Sequence, residues 1–225
     1  ALAELESYSY SIAHDKRAPL SAMQGFSRIL LEEYAPEFGP EALNYIRRMS
    51  KSAERLDRLI QDVLTSSKIM CSEMDLQPVQ PEPLLREIIE SYPNLYSSKA
   101  EIVLQEPLPA VLANSAALTQ VFSNLLGNAV KFVEPGTQPR VVVRAEQGNA
   151  SVRFWLEDNG IGMPPEATSR IFQMFQTLNR PGLYEGTGLG LAIVRKALTR
   201  MNGAVGAESV LGQGSRFWVD LKPAP

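Results

Sequence analysis

The first third of the chain repeats its apolar residues at helical spacing. Apolar side chains recur every three or four residues over positions 2–30, except around position 14, and again over positions 43–63. The segment between these stripes, residues 34–40, contains two prolines and a glycine, which favour a tight connection. The pattern predicts two antiparallel helices in a helical domain of residues 1–70. Because it is helical from the first residue and no Met precedes it, we expect the chain to be a fragment.

Two helices with long apolar stripes leave part of each stripe in contact with water. Two such hairpins packed side by side bury these surfaces in a four-helix bundle. We therefore expect a homodimer formed through residues 1–70.

The pattern changes after residue 70. Residues 71–83 contain three prolines and are predicted to be a linker, in which a short strand can lie. Beyond it, helical spacing alternates with short β-type runs. Helices are predicted at 84–95, 115–132 and 187–201, and strands at 101–105, 110–112, 140–145, 151–157, 204–209 and 216–221. This order predicts an α+β sandwich over residues 84–225, with one layer of helices on a mixed sheet.

Composition narrows the choice of partners and compartment. The net charge is −3 without a long basic run, so we expect no nucleic-acid partner and no direct membrane contact. Cys71 and His14 are the only residues of their types, which excludes an internal disulfide and an ordinary zinc site. These features fit a cytoplasmic location for this part, while the full-length protein can still be membrane-anchored.

One predicted helix carries two amides and an ammonium on a single face. Asn124, Asn128 and Lys131 are spaced i, i+4 and i+7, and apolar residues occupy the opposite side. Such groups can hold a hydrated Mg²⁺ ion and phosphate oxygens. An ordinary solvent-facing surface has the same pattern, so the face alone does not decide between the two.

Two glycine-rich segments follow. Asp158 ends an alternating strand and precedes Gly160 and Gly162, an arrangement that suits a hydrogen bond to an exocyclic amine but also a plain turn. The segment 186–190 opens a helix with three glycines, which favours an anion site of backbone N–H groups. It lacks the Lys-Ser/Thr of a Walker A loop and the spacing of a dinucleotide-binding fingerprint.

The single histidine stands in a distinctive setting. Asp15 follows His14 directly, and Pro19 interrupts the same helical pattern five residues later. Proline removes a backbone hydrogen bond and clashes with the carbonyl four residues back, here that of Asp15. Any imidazole chemistry in this chain must use His14, whereas the alternative is a histidine on a solvated helix face.

In this order, the segments resemble the sequence boxes of sensor histidine kinases of the GHKL superfamily. The helix around Asn128 is similar to the N box, and the two glycine-rich segments are similar to the G1 and G2 boxes. Residues 170–175 resemble the F box. Residues 9–20 resemble the H box of phytochrome-like sensor kinases, so the resemblance covers essentially the whole chain.

The resemblance implies a role for each matching residue around His14 and along the helix. His14 is then the phosphoacceptor, and Asp15 orients its imidazole and takes its proton. Asn128 is implied as the ligand of Mg²⁺, while Asn124 and Lys131 lie along the phosphates of ATP.

The same resemblance assigns the glycine-rich segments. Asp158 reads adenine, with Gly160 and Gly162 shaping its pocket. Residues from 163 to about 185 form a mobile ATP lid. The remaining implied ATP-binding residues are Gly186, Thr187, Gly188, Leu189 and Gly190.

The implied activity is that of an ATP-dependent protein histidine kinase. It autophosphorylates on His14 and passes the phosphoryl group to an aspartate of a response regulator receiver domain. The alternative is a non-catalytic, nucleotide-binding dimeric scaffold that docks a signalling partner. A hydrolytic ATPase is disfavoured, because those relatives carry Glu where this chain has Asn124, and an amide cannot act as a general base.

Two residues beside His14 depart from the family pattern. Lys16 stands where an apolar residue is usual. Ala18 replaces the Thr or Asn of related kinases that also dephosphorylate their partner, and its methyl group cannot hold a water. We therefore expect weak phosphatase activity.

Overall fold

The computed structural model describes most of the chain in two compact units, 1–72 and 73–225. The described residues are 2–71, 74–92, 95, 100–176, 184 and 186–225, and the side chains of 2–15, 66, 68, 70 and 71 are left aside.

The first unit is the predicted helical hairpin. Helix α1 runs over Leu2–Glu32 and helix α2 over Pro40–Cys71, with a short 3₁₀ turn at Ala35–Glu37 between them. Pro40 is the first residue of α2, where its missing N–H costs no helical hydrogen bond. Helix α1 continues through Pro19.

The hairpin buries only part of its apolar surface. Leu20, Ile46 and Ala53 are buried. A larger set of apolar side chains on the two helices is exposed: Met23, Phe26, Ile29, Tyr45, Met49, Leu56 and Val63. We call this set the open face of the hairpin.

The second unit is an α+β sandwich, as predicted. Its elements, in chain order, are β1 Gln77–Val79, α3 Pro81–Ser91, β2 Glu101–Leu104, β3 Val111–Ala113, α4 Ser115–Lys131, β4 Arg140–Gln147, β5 Val152–Asp158, α5 Pro165–Thr168, α6 Gly190–Arg200, β6 Ala204–Ser209 and β7 Ser215–Leu221. The main sheet has the order β2-β4-β5-β7-β6. Its β2–β4 pair is parallel and its other pairs are antiparallel, while β1 and β3 form a separate antiparallel pair.

Helices α4 and α6 supply the helical side of the core. Phe122 on α4 meets Phe154 on β5 edge to face, with ring centroids 5.9 Å apart. Leu125 on α4 and Val194 and Leu198 on α6 are fully buried. The apolar side of α4 is thus fixed in the core, which turns its opposite side toward the candidate site.

The outer side of the sheet carries both tryptophans of the chain. Trp155 on β5 lies opposite Trp218 on β7. The Arg153 guanidinium lies 5.5 Å from the Trp155 ring centroid and 4.3 Å from that of Trp218. It also donates two hydrogen bonds of 2.7 Å to the Asp220 carboxylate, so this side of the sheet is held by stacking and a paired charge.

Several element boundaries differ by a few residues from the sequence-based prediction, and two of the differences have a clear physical reason. The predicted linker 71–83 includes the last residue of α2, strand β1 and the start of α3 at Pro81. Proline is compatible with the first turn of a helix, so these prolines begin an element and do not only separate two. Helix α6 begins at Gly190 and not at residue 187, because Gly188 has a φ of +72°, which lies outside the helical region.

Candidate functional site

Helix α4 presents Asn124, Asn128 and Lys131 on its half-exposed side. At its N-terminus, the Asn114 side chain accepts a hydrogen bond of 3.0 Å from the Ala117 N–H, which caps the helix. Cap and core together fix the rotation of α4. We call this side the amide face.

Asn124 connects the amide face to the start of α6. Its Nδ2 donates to the Gln120 carbonyl at 2.8 Å, which orients the side chain. Its Oδ1 lies 2.6 Å from the point that a Cβ at Gly190 would occupy. A side chain at position 190 would therefore displace the Asn124 amide, and the structure brings these two predicted site residues together.

Lys131 makes the corresponding approach at the other end of the amide face. Its Nζ lies 4.5 Å from the centroid of the Phe132 ring. The same atom lies 3.0 Å from the point that a Cβ at Gly186 would occupy. Both ends of residues 186–190 thus border the amide face, so the predicted N and G2 boxes meet in space.

Asp158, at the end of β5, is a largely buried carboxyl. Its Oδ1 accepts hydrogen bonds from the backbone N–H groups of Gly160 at 2.9 Å and Ser215 at 3.1 Å. Burial raises the pKa of this carboxyl to about 6, although the two backbone hydrogen bonds act in the opposite direction. Within the described part of the chain no hydrogen bond reaches Oδ2, which can accept one from a ligand amine.

The segment 158–162 is pressed between two other parts of the unit. A Cβ at Gly160 would lie 2.4 Å from the Phe132 carbonyl oxygen, at the end of α4. Gly162 has a φ of +65°, and a Cβ there would lie 2.0 Å from the Val210 carbonyl oxygen. Only glycine fits these contacts, so the two glycines bring the loop against the amide-face helix and the β6–β7 turn.

Residues 186–190 are paired with the segment that resembles the F box. The Gly188 carbonyl accepts a hydrogen bond of 2.9 Å from the Phe175 N–H. The Thr187 hydroxyl accepts one of 3.3 Å from the Leu189 N–H. The Leu189 side chain is buried, so any contact of this residue with a ligand must use its backbone.

The segment that resembles the H box lies in α1. His14 and Asp15 belong to the helix, but their side chains lie outside the described residues, as do residues 177–183 and 185 of the predicted lid. Close to His14, the Arg17 guanidinium bonds the Gln61 side chain and lies 3.6 Å from the Asp57 carboxylate on α2. These contacts fix the register of the two helices one turn from His14.

The sequence patterns did not identify Ser215, which donates to Asp158, or Ser209, which contacts Ser215. Ser215 donates to the Asp158 carboxyl from β7, and the Ser209 hydroxyl accepts from the Met163 N–H at 2.8 Å and donates to the Gly214 carbonyl at 2.9 Å. The sequence signal near them is the Gly-Gln-Gly-Ser run at 212–215, between the two predicted strands. Tyr184, two residues before Gly186, was also missed.

The described residues also bear on metal binding and on membrane insertion. No group of three or more His, Cys, Asp or Glu side chains is placed to hold a metal ion there. Among those residues no helix is both long and apolar enough to cross a bilayer.

Two family models match the chain. Residues 5–71 match the His Kinase A (phospho-acceptor) domain. Residues 113–225 match the histidine kinase-, DNA gyrase B-, and HSP90-like ATPase family. The second match alone covers half of the chain.

Two similar curated proteins are a cyanobacterial phytochrome and a bacterial histidine-protein kinase. The chain is 32% identical to cyanobacterial phytochrome A of Nostoc sp. over 219 residues, which is 97% of this chain and 28% of that protein. It is 31% identical over 228 residues to the signal transduction histidine-protein kinase BarA of Escherichia coli, covering 95% and 24% of the two chains. The chain thus spans about a quarter of the length of these relatives.

Solved structures share the fold of the whole chain. Full-length ShkA, in complex with AMPPNP, aligns with a TM-score of 0.70 at 34% identity, over 97% of this chain and 46% of that one. Histidine kinase ThkA, in complex with response regulator protein TrrA, gives 0.65 at 23% identity over 100% and 63%, which shows the fold alone. From its family matches and these relatives, the chain belongs to the sensor histidine kinases, with a phosphoacceptor helical hairpin followed by an ATP-binding domain of the GHKL type.

Proposed function

We propose that this chain is an ATP-dependent protein histidine kinase that phosphorylates His14 and then an aspartate of a response regulator receiver domain. The observation that carries the proposal is the convergence of two separate segments, 186–190 and 158–162, on helix α4 and its end. Asn124 Oδ1 borders Gly190, Lys131 Nζ borders Gly186, and the 158–162 loop packs on the end of the same helix.

The adenine end of the site is assigned to Asp158. Its Oδ2 accepts a hydrogen bond from the exocyclic amine of adenine, while Oδ1 keeps its hydrogen bonds from the Gly160 and Ser215 N–H groups. Gly160 and Gly162 let backbone form the walls of a flat pocket. A purine with a carbonyl at this position offers no proton to the carboxylate, which favours ATP over GTP.

The phosphate end is assigned to the amide face and the start of α6. Asn124 and Lys131 lie along the phosphates, and residues 186–190 (Gly186, Thr187, Gly188, Leu189 and Gly190) supply backbone N–H groups at the positive end of the α6 dipole. We assign Mg²⁺ to the Asn128 amide oxygen. No carboxylate cluster adjoins it in the described residues, so most ligands of the ion come from phosphate and water.

His14 supplies the nucleophile. One neutral ring nitrogen attacks the γ-phosphorus, the bond from phosphorus to the ADP oxygen breaks, and an N–P bond forms. Asp15 takes the proton from the other ring nitrogen, which leaves a phosphoramidate with a neutral ring and a negatively charged phosphoryl group. Bound Mg²⁺ neutralises charge on the phosphates during this transfer.

The partners follow from the hairpin. Its open face is assigned to a second copy of the chain, which gives a homodimeric four-helix bundle. The phosphoryl group of His14 is assigned to a receiver aspartate. Because the reaction consumes ATP and delivers phosphate to a receiver domain, we place this part of the protein in the cytoplasm.

Incubation with γ-labelled ATP tests the proposal. Wild type should gain label that is labile in acid and stable in base, whereas His14→Gln should gain none. Asn128→Ala should lose at least about 100-fold in labelling rate, since it removes a group that stabilises transferred charge. Asn149→Ala, in the exposed β4–β5 turn, is the matched control and should label normally. Nucleotide binding without label would support the scaffold alternative.

A further inference from the structure

Residues 131–133, at the end of helix α4 and just after it, contact several parts of the site. The Phe132 carbonyl accepts a hydrogen bond of 2.8 Å from the Ile161 N–H, which connects it to the segment 158–162. The Phe132 ring lies under the Lys131 ammonium, 4.5 Å from Nζ to the ring centroid. The Phe132 backbone thus meets the adenine end of the site, while its ring borders the phosphate end through Lys131.

Tyr184, which precedes the segment 186–190, contacts residues 132 and 133. Its hydroxyl donates a hydrogen bond of 2.8 Å to the Val133 carbonyl. Its ring meets the Phe132 ring with centroids 5.5 Å apart and planes at 62°. Tyr184 stands two residues before Gly186, whose missing Cβ leaves room for Lys131 Nζ. The tyrosine thus contacts the residue that supports the ammonium and precedes the glycine that borders it.

We propose that Tyr184 is a positioning residue, which holds the Lys131 ammonium, through the Phe132 ring, in place for the phosphates of ATP. This inference rests on the proposed nucleotide site and adds to it a residue outside the predicted boxes. The hydrogen bond from the Tyr184 hydroxyl to the Val133 carbonyl fixes the position of the Tyr184 ring relative to the end of α4. The ring then limits how far Phe132, and with it the lysine side chain, can move.

The expected effect is moderate and specific to phosphates. A half-buried neutral hydrogen bond corresponds to roughly a threefold to tenfold change in an equilibrium constant. Because Lys131 meets phosphate and not adenine, the loss should appear with ATP and not with adenosine.

Equilibrium titrations of the 225-residue chain with ATP and with adenosine test the inference. Tyr184→Phe should weaken ATP binding by roughly threefold to tenfold, and Tyr184→Leu, which also removes the ring, should weaken it further. Adenosine binding should stay within about twofold. Tyr92→Phe removes a tyrosine hydroxyl at the end of α3, outside the site, and should leave both affinities unchanged.

A double-mutant cycle separates positioning from general support of the fold. If Tyr184 acts through the lysine, Lys131→Ala and the Lys131→Ala/Tyr184→Leu pair should bind ATP equally well within about twofold. Equal losses for ATP and adenosine in Tyr184→Phe, or single effects that multiply in the pair, would overturn the inference. Absence of ATP binding by wild type would instead overturn the proposed function on which it rests.

Discussion

At the scale of single residues, the Asp158 carboxyl is held by backbone N–H groups from two separate parts of the chain, at Gly160 and Ser215. Its place at a strand end before two glycines identified it as a candidate for adenine recognition. Its support by Ser215 was not predictable, because these residues are 57 positions apart and meet only through the register of β5 with β7. A residue's own motif can be read locally, whereas its hydrogen-bond donor depends on strand pairing that no local pattern specifies.

The raised pKa of Asp158 predicts a pH dependence of adenine recognition. The ionised carboxylate is the stronger acceptor, and it is lost as the pH falls through about 6. Adenosine affinity should therefore fall below that pH, by up to about tenfold per pH unit. Adenosine is the suitable ligand because it carries no phosphate that titrates in the same range.

Asp158→Asn is the control for this prediction. The amide keeps an oxygen for the Gly160 and Ser215 N–H groups but has no carboxyl to titrate. Its adenosine affinity should be weaker than that of wild type at pH 7.5 and constant down to pH 5. A wild-type affinity that is also constant over this range would contradict the assignment of Asp158.

At the scale of elements, helical periodicity predicted the hairpin and α4, and alternation predicted the sheet strands to within a few residues. The errors lie where long-range contacts decide the conformation. The left-handed Gly188 is paired with Phe175, which delays the start of α6. Strand β1, the short strand that the predicted linker allowed, pairs with β3 more than 30 residues away, so its exact position depends on a long-range contact.

Helix α1 contains an element-scale prediction at Pro19. This proline lies inside the helix and is exposed, and its missing N–H leaves the Asp15 carbonyl without its helical partner. Pro19→Ala should stabilise the helix, by up to about 3 kcal/mol, because it restores the helical hydrogen bond to the Asp15 carbonyl beside His14. We expect the rates of autophosphorylation or of transfer to a receiver to change.

Labelling time courses with and without a receiver domain measure these two rates. Ser21→Ala, at an exposed position of the same helix, controls for an added alanine. If Pro19→Ala leaves both rates equal to those of wild type, the proline has no role in phosphotransfer.

At the scale of the whole molecule, the open face of the hairpin determines assembly. Phe26 is 67% exposed and Met49 is 58% exposed in the single chain. Several large apolar side chains exposed together on one hairpin indicate an interface. The sequence predicted this face, because the apolar stripes of the two helices are longer than a single hairpin can bury.

Met49→Glu should convert the dimer to a monomer. Each subunit would bury an unpaired carboxylate, and twofold symmetry repeats the cost, so the dissociation constant should rise by more than about 100-fold. Size-exclusion chromatography with light scattering over a range of concentrations measures it.

Arg47→Glu places the same side chain about 200° around α2 from Met49, at an exposed position. It should remain dimeric at the concentrations where wild type does. Dissociation of both variants to the same extent, or of neither, would contradict assembly through the open face.

The position of the two tryptophans has a practical consequence for experiments on this protein. Both indoles lie on the sheet of the second unit, and the first unit has none. Tryptophan emission, excited selectively over tyrosine, therefore reports the state of the second unit alone, while far-ultraviolet circular dichroism is weighted toward the two long helices. Following both signals in one urea titration resolves the unfolding of each half without any attached dye.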